Sequence, residues 1–152
     1  MKKILSILIV VVGLFTITGC NSGEKTMTCT RTVSVSDGVK MDLTYKATYK
    51  KDIVLNVETI EKVISDDEDL LETYKEKVEA AYEPYQDIDY YVTSVKINGD
   101  TLTSKTSIDY KKIDLDKLVE VDSANKSLLD SDGNVKLSVV KSIYESVGAT
   151  CK

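Results

Sequence analysis

From Met27 the chain places apolar side chains on alternate residues, Met27, Cys29, Val33 and Val35, with Thr or Ser at 26, 28, 30, 32, 34 and 36. A period of two predicts a half-buried strand with a threonine-rich outer face. Arg31 interrupts the apolar side and is expected to snorkel or to pair with an acid. After Ser36-Asp37-Gly38 the alternation resumes at Val39, Met41, Leu43, Tyr45, Ala47 and Tyr49. The two faces agree when Val35 sits opposite Val39, with Gly38 left-handed in a three-residue loop, and this register sets Cys29 opposite Tyr45. Lys50-Lys51-Asp52 then turns the chain into Ile53, Leu55 and Val57, and the pattern slips to Ile60 and Ile64, as a bulge near Thr59 would produce.

The period changes after Ser65-Asp66-Asp67-Glu68, which reads as a capping box whose acids also suit the positive end of a helix dipole. Leu70, Leu71, Tyr74, Val78, Ala81, Tyr82 and Tyr85 follow at helical spacing, predicting a helix from about Asp66 to Glu83, ended by Pro84. Tyr91, Val95 and Ile97, then Asn98-Gly99, then Leu102, Ile108 and Tyr110, predict a hairpin with a two-residue turn and Val95 opposite Leu102. Ile113 to Leu118 fits an extended segment or a short helical turn equally well. Residues 122–134 are polar and loop-like. Ser138 can cap a last helix over Val139–Val147, with Val140, Ile143, Tyr144 and Val147 as its buried stripe and Gly148 as its stop. Three strands, a helix, two strands and a helix predict an α+β fold: an antiparallel sheet of about five strands with helices packed on one face.

The first residues follow different rules. Met1-Lys2-Lys3 precedes a charge-free run from Ile4 to Ile17, too short to span a bilayer comfortably, which needs roughly 20 apolar residues. Ile17-Thr18-Gly19-Cys20 closes it in the manner of a bacterial lipobox. The expected reading is a signal peptide over residues 1–19, removed, then a lipidated tether over 20–25 and a single domain over 26–152. Cys20 would carry a diacylglyceryl anchor and a further acyl chain such as palmitate. At about 0.8 kcal/mol per buried CH₂, two or three chains hold a domain that one would not. The expected location is the extracytoplasmic face of a bacterial membrane, lipid-anchored. The alternative is an ordinary signal peptide with Cys20 beside it by chance.

Composition narrows the chemistry. The 152 residues contain no His and no Trp, and 25 acidic side chains outweigh 20 basic ones. Without His there is no imidazole base and no His-ligated zinc or haem, and an isoelectric point near 4.8 disfavours nucleic acid. Loss of the leader would remove two lysines and the sole Phe, taking the net charge from −5 to −7 and leaving nine Tyr as the aromatic complement. A thin aliphatic core with Tyr at its margins is expected. Cys29 and Cys151 then form an even pair outside the cytoplasm, where a disulfide is the expected state; two free thiols or a redox pair are the alternatives, the last without any Cys-x-x-Cys spacing.

The leader with Cys20, the strand pair holding Asp42-Leu43-Thr44-Tyr45, the helix after it, the Tyr-rich approach to the second hairpin and the run Ile108-Asp109-Tyr110-Lys111-Lys112-Ile113-Asp114-Leu115-Asp116-Lys117-Leu118 together resemble the YehR-like bacterial lipoproteins. The resemblance implies a small envelope lipoprotein of unknown function and carries no catalytic residues.

Candidate sites are few. Asp130-Ser131-Asp132-Gly133-Asn134 resembles the start of a calcium loop, but Val135 and Lys141 stand where such a loop needs Gly and Glu, so an exposed turn is expected. Asp66, Asp67, Glu68 and Asp69 read as a solvated helix start rather than a cation site. Tyr82, Tyr85, Tyr90 and Tyr91 form a candidate surface for an envelope protein or a polysaccharide, with packing of the helix end against the sheet as the plainer account. No spacing selects a carboxylate pair for glycosidase chemistry. The expected protein is therefore not an enzyme, uses no cofactor or metal, and serves as an envelope interaction or accessory module. A small-ligand or ion-binding protein, with a pocket between helix and sheet, is the rival reading; an apolar cavity with converging tyrosine hydroxyls would favour it.

Overall fold

The computed structural model describes residues 23–36 and 38–152. The expected leader, the expected lipidation at Cys20, and Asp37 lie outside them. Three long strands, β1 (Glu24–Ser36), β2 (Val39–Lys50) and β3 (Ile53–Ile64), precede helix α1 (Glu68–Tyr82). Strands β4 (Tyr91–Asn98) and β5 (Thr101–Asp109) follow, then α2 (Leu115–Val121), α3 (Leu137–Ser146) and a two-residue strand β6 (Thr150–Cys151). The strands form one antiparallel sheet in the order β4-β5-β3-β2-β1-β6. The α+β class is as expected, with six strands where five were read, because a two-residue strand has no periodicity to read.

The first hairpin keeps Cys29 opposite Tyr45, as the alternation requires. Its end differs: Ser36 pairs with Val39, Val35 becomes the extra residue of a bulge and lies 48 % exposed, and Gly38 adopts φ 77°. In the second hairpin the loop is Gly99-Asp100, so Leu102 faces Ile97 and Val95 faces Ser104. Gly99 takes the positive φ, 59°, at the first loop position, a conformation that suits glycine. The shift by two residues leaves the same side chains inward, which is why hydrophobic pattern alone could not separate the two registers.

A third correction matters most. The bulge on β3 lies at Leu55, not near Thr59: Thr48 pairs with Asn56 while Tyr49 pairs with Val54. The carbonyl of Leu55 accepts the amide of Tyr110 at 2.9 Å. Val54 and Val57 therefore share the inner face, and the inner positions beyond them fall to Thr59, Glu61 and Val63. Ile60 and Ile64 point to the outer face, flanked by Thr44 and Lys105 and by Lys40 and Thr101.

Helix α1 starts one turn past Ser65. Asp67 is its N-cap, accepting the Leu70 amide at 3.0 Å, while Ser65 Oγ accepts the Asp67 amide at 3.1 Å. Pro84 falls in the tighter helical turn Glu83–Tyr85 that ends it. Residues 115–121 resolve as helix, capped by Asp114, and part of the polar stretch forms a 3₁₀ helix over Ser123–Leu128. Helix α3 begins at Leu137, before Ser138, because its cap comes from elsewhere. Asp52 in the β2–β3 turn accepts the Ser138 amide at 2.9 Å and the Ser138 hydroxyl at 2.8 Å. Gly148 stops the helix at φ 88°.

The helices cover one face of the sheet in three apolar patches. Leu71 packs with Val39, Val63 and Leu102. Val140, Val135 and Ala149 pack over Met27, Cys29, Tyr45, Ala47, Val54 and Val57. Leu118, Ile113 and Ile88 cover Ile108. Tyr45, 4 % exposed, lies in the core rather than at its margin. Of the expected α3 stripe only Val140 is buried outright and Tyr144 partly so, whereas Ile143 and Val147 are 43 % and 46 % exposed. The opposite face of the sheet carries mainly Thr, Ser and Lys and faces solvent, as the alternation predicted.

Candidate functional site

Between the three patches the covered face turns polar. Thr59 pairs with Thr106, and Glu61 with Ser104, so two adjacent cross-strand rows present hydroxyls and one carboxylate beneath the helices. Such rows cannot close an apolar core, and a cavity of about 400 Å³ opens over them. This volume falls within the range of small-molecule pockets, about 300–1,000 Å³. Five tyrosines reach it: Tyr45 from β2, Tyr82 from α1, Tyr91 from β4, Tyr110 just after β5, and Tyr144 from α3. Val140 and Ile143 of α3 form part of the apolar wall, and the partial exposure of Ile143 reflects its place at this opening.

The polar groups have specific surroundings. The Thr106 hydroxyl donates to the Tyr82 hydroxyl at 3.1 Å, and Thr59 hydrogen-bonds the Tyr144 hydroxyl. The Tyr45 and Tyr144 rings lie 4.2 Å apart between centroids. Burial raises the Tyr45, Tyr91 and Tyr144 hydroxyls above the usual phenol value, and burial with the nearby Tyr144 pushes Tyr110 up to about 12. These hydroxyls therefore stay protonated at neutral pH and can serve as donors.

Glu61 supplies the one carboxylate among the described residues that line this cavity. Among the described residues no ion pair or hydrogen bond engages its carboxylate, and burial raises its pKa. Arg31 lies in the same cross-strand row with Leu43 between them, and both charged residues line an adjoining recess of about 180 Å³. Arg31 was expected to snorkel or to find an acid; it makes no ion pair among the described residues. Its Nε lies beside Gly148, at the end of α3.

The Glu61 shift has a testable sign. The folded state holds this proton more tightly than the unfolded chain, so ionisation opposes folding. Its contribution is most favourable below the ordinary glutamate value of 4.5 and is lost as pH rises through the raised folded value. Glu61→Gln removes that loss. The variant is expected to gain melting temperature over the wild type between pH 4 and pH 7, and parallel pH profiles would contradict the burial of this carboxylate.

The tyrosine group read from sequence divides. Tyr82 and Tyr91 turn inward to the cavity, and Tyr85 stacks on Tyr91 with centroids 4.7 Å apart. Tyr90, at φ 67°, is 50 % exposed with the Lys112 ammonium 5.3 Å from its ring centroid. Sequence reasoning missed Glu61 and Thr59 because the β3 bulge was placed too late, which left both residues on the solvent side. A hint was present in the odd-numbered series Val57, Thr59, Glu61, Val63, which alternates without interruption.

The other candidates resolve locally. Asp130 Oδ1 accepts the amides of Asp132 and Asn134 at 2.9 and 2.8 Å, and Lys136 pairs with the same carboxylate at 3.1 Å, so its lone pairs serve the turn. Asp67 caps α1, and Glu68 and Asp69 sit in its first turn. Among the described residues, no group of three or more Cys, Asp or Glu is arranged to hold a metal ion. Cys29 and Cys151 are disulfide-bonded across β1 and β6, where they are direct register partners. No described helix is long and apolar enough to cross a membrane.

The family described as "Protein of unknown function (DUF1307)" matches residues 27–149. Among solved structures, the NMR structure of the E. coli YehR protein is similar at TM-score 0.56 and 18 % identity, covering 85 % of this chain and 92 % of that one. The NMR structure of a protein from Streptococcus pneumoniae TIGR4 is similar at TM-score 0.51 and 19 % identity, covering 100 % of this chain and 98 % of that one. At these identities the two structures share the fold. No curated protein matches the sequence.

Proposed function

The chain belongs to the DUF1307 family, whose function is unknown, and on that premise we propose that it is a lipid-anchored, extracytoplasmic binding protein holding a small organic ligand between its helices and sheet. The observation that carries the binding reading is the cavity of about 400 Å³, with apolar walls and five converging tyrosines. Phenol hydroxyls that stay protonated, together with one carboxylate, can orient a ligand. They offer no nucleophile–base pair and no second carboxylate, so the reading is binding without catalysis. The anchor rests on the leader and on Cys20, as read from sequence.

Two measurements test this. Ligand-observed NMR with a mixture of small organic molecules is expected to find binders that lose their signal in Ile143→Trp, which fills the cavity opening. Absence of any binder, or binders kept equally by the variant, sinks the pocket reading. For the anchor, the wild type should partition with membranes and Cys20→Ser should not; equal recovery of both with membranes would reject lipidation.

One observation favours docking of an envelope protein as well. Among the described residues β6 pairs with Cys29 and Thr30 alone, so along Arg31–Ser36 β1 is paired there on the β2 side alone, an edge to which an extended segment could add. Crosslinking in intact cells expressing the lipidated protein should then map partner contacts to Arg31–Ser36, and contacts confined to other surfaces would remove this second reading.

A further inference from the structure

Granting the ligand-binding reading, the chemistry of the lining narrows the ligand class. Among the described residues that line it, Tyr45, Tyr82, Tyr91, Tyr110 and Tyr144 contribute aromatic rings, Glu61 contributes the one carboxylate, and there is no Lys or Arg. Aromatic faces carry the negative end of a quadrupole and attract cations, most strongly where water is excluded. An anionic ligand would meet Glu61 with no cation in the lining to balance it. A neutral apolar ligand would strip water from the carboxylate and leave its charge uncompensated. A calcium ion takes 6–8 oxygen ligands, and the lining holds one carboxylate.

We infer that the cavity takes a small organic ammonium ion, its cationic head among the tyrosine rings and balanced by Glu61, with its organic portion against the apolar wall formed by Val140 and Ile143. The ligand supplies the counter-charge that the described protein does not. Arg31, two strands away on the same face, limits how far such a cation extends toward β1.

The test uses the full chain in maltoside micelles, with choline as the probe and 3,3-dimethylbutan-1-ol as its neutral isostere. Choline is expected to shift aromatic NMR signals of Tyr45, Tyr110 and Tyr144, and the isostere to bind about tenfold more weakly, the size of a cation–π and ion-pair contribution of about 1.4 kcal/mol. Glu61→Gln, expected to fold because it removes a half-buried charge, should weaken choline by about tenfold and leave the isostere unchanged. If the isostere binds the wild type as well as choline does, or if Glu61→Gln weakens neither, the ammonium inference is overturned while the pocket reading stands. If neither probe shifts the cavity tyrosines, the ammonium inference is again overturned. The mixture screen against Ile143→Trp then decides the pocket reading separately.

Discussion

Replacing Cys29 and Cys151 together with serine is expected to lower the melting temperature by about 15 °C, a loss of about 4 kcal/mol at roughly 3–5 °C per kcal/mol for a domain of this size. The two cysteines are 122 residues apart, so the bridge closes nearly the whole described chain. In the chain-entropy model a loop of that length is worth about 5 kcal/mol, and measured values fall at or below such figures. The structure adds a local reason. β6 has two residues, and besides the bridge its hold on β1 is Cys29 and Thr30 opposite Cys151 and Thr150, with reciprocal 2.9 Å hydrogen bonds between Thr28 and Lys152. Without the bridge that strand should fray and loosen Ala149 and the end of α3, where Tyr144 meets Tyr45. Thermal melts of the wild type, the double variant and the reduced wild type check this. A shift below about 3 °C in both altered forms would show that the bridge constrains little.

Leu71→Ala is expected to cost about 3 kcal/mol in urea unfolding. Leu71 is the one buried residue of α1 and has no exposed surface; it fills the space between Val39, Val63 and Leu102, while Leu70 and Tyr74 are only partly covered. Removing it takes away transfer energy and leaves a void that a sheet of long strands cannot collapse to fill. Ile143→Ala is the contrasting control, expected to cost less than about 1 kcal/mol because that side chain is 43 % exposed. Equal costs at the two positions would mean that the helices pack as their apolar stripes suggest in isolation, contrary to the structure.

The legible parts of the fold are those with a local cause. The Met27–Val35 and Val39–Tyr49 alternations located β1 and β2 and set Cys29 opposite Tyr45, since a slip of one residue would turn both apolar faces to water. Acidic caps and Pro84 marked the ends of α1 to within a residue or two. The partner of Cys29 was legible because the reading of the first residues assigns Cys20 to lipidation, which leaves Cys151 as the other cysteine.

The candidate site was not legible, and the reason is specific. Its residues come from β2, β3, β4, β5, α1, α3, the 3₁₀ helix and the segment after β5, and their convergence depends on β5, rather than β4, pairing with β3. Strand order leaves no mark in hydrophobic periodicity, because either neighbour buries the same face. The position of the β3 bulge was equally hidden. It is set by the bond from Tyr110 to the Leu55 carbonyl and by Val54 pairing with Val135, contacts made by residues more than fifty positions away. Likewise Asp52 caps a helix 86 residues on, which a search for a local cap assigned to Ser138.

The sequence by itself therefore determined most of the elements, the α+β class, the faces of β1 and β2 and the pairing of two cysteines, since each follows from short-range sterics and from burying one face. Only the tertiary structure decided that the covered face is polar at its centre. It brought Glu61 beneath the helices with no ion-pair partner among the described residues and gathered five tyrosines around it, because a bulge and a strand order fixed by distant contacts choose which side chains share a cavity.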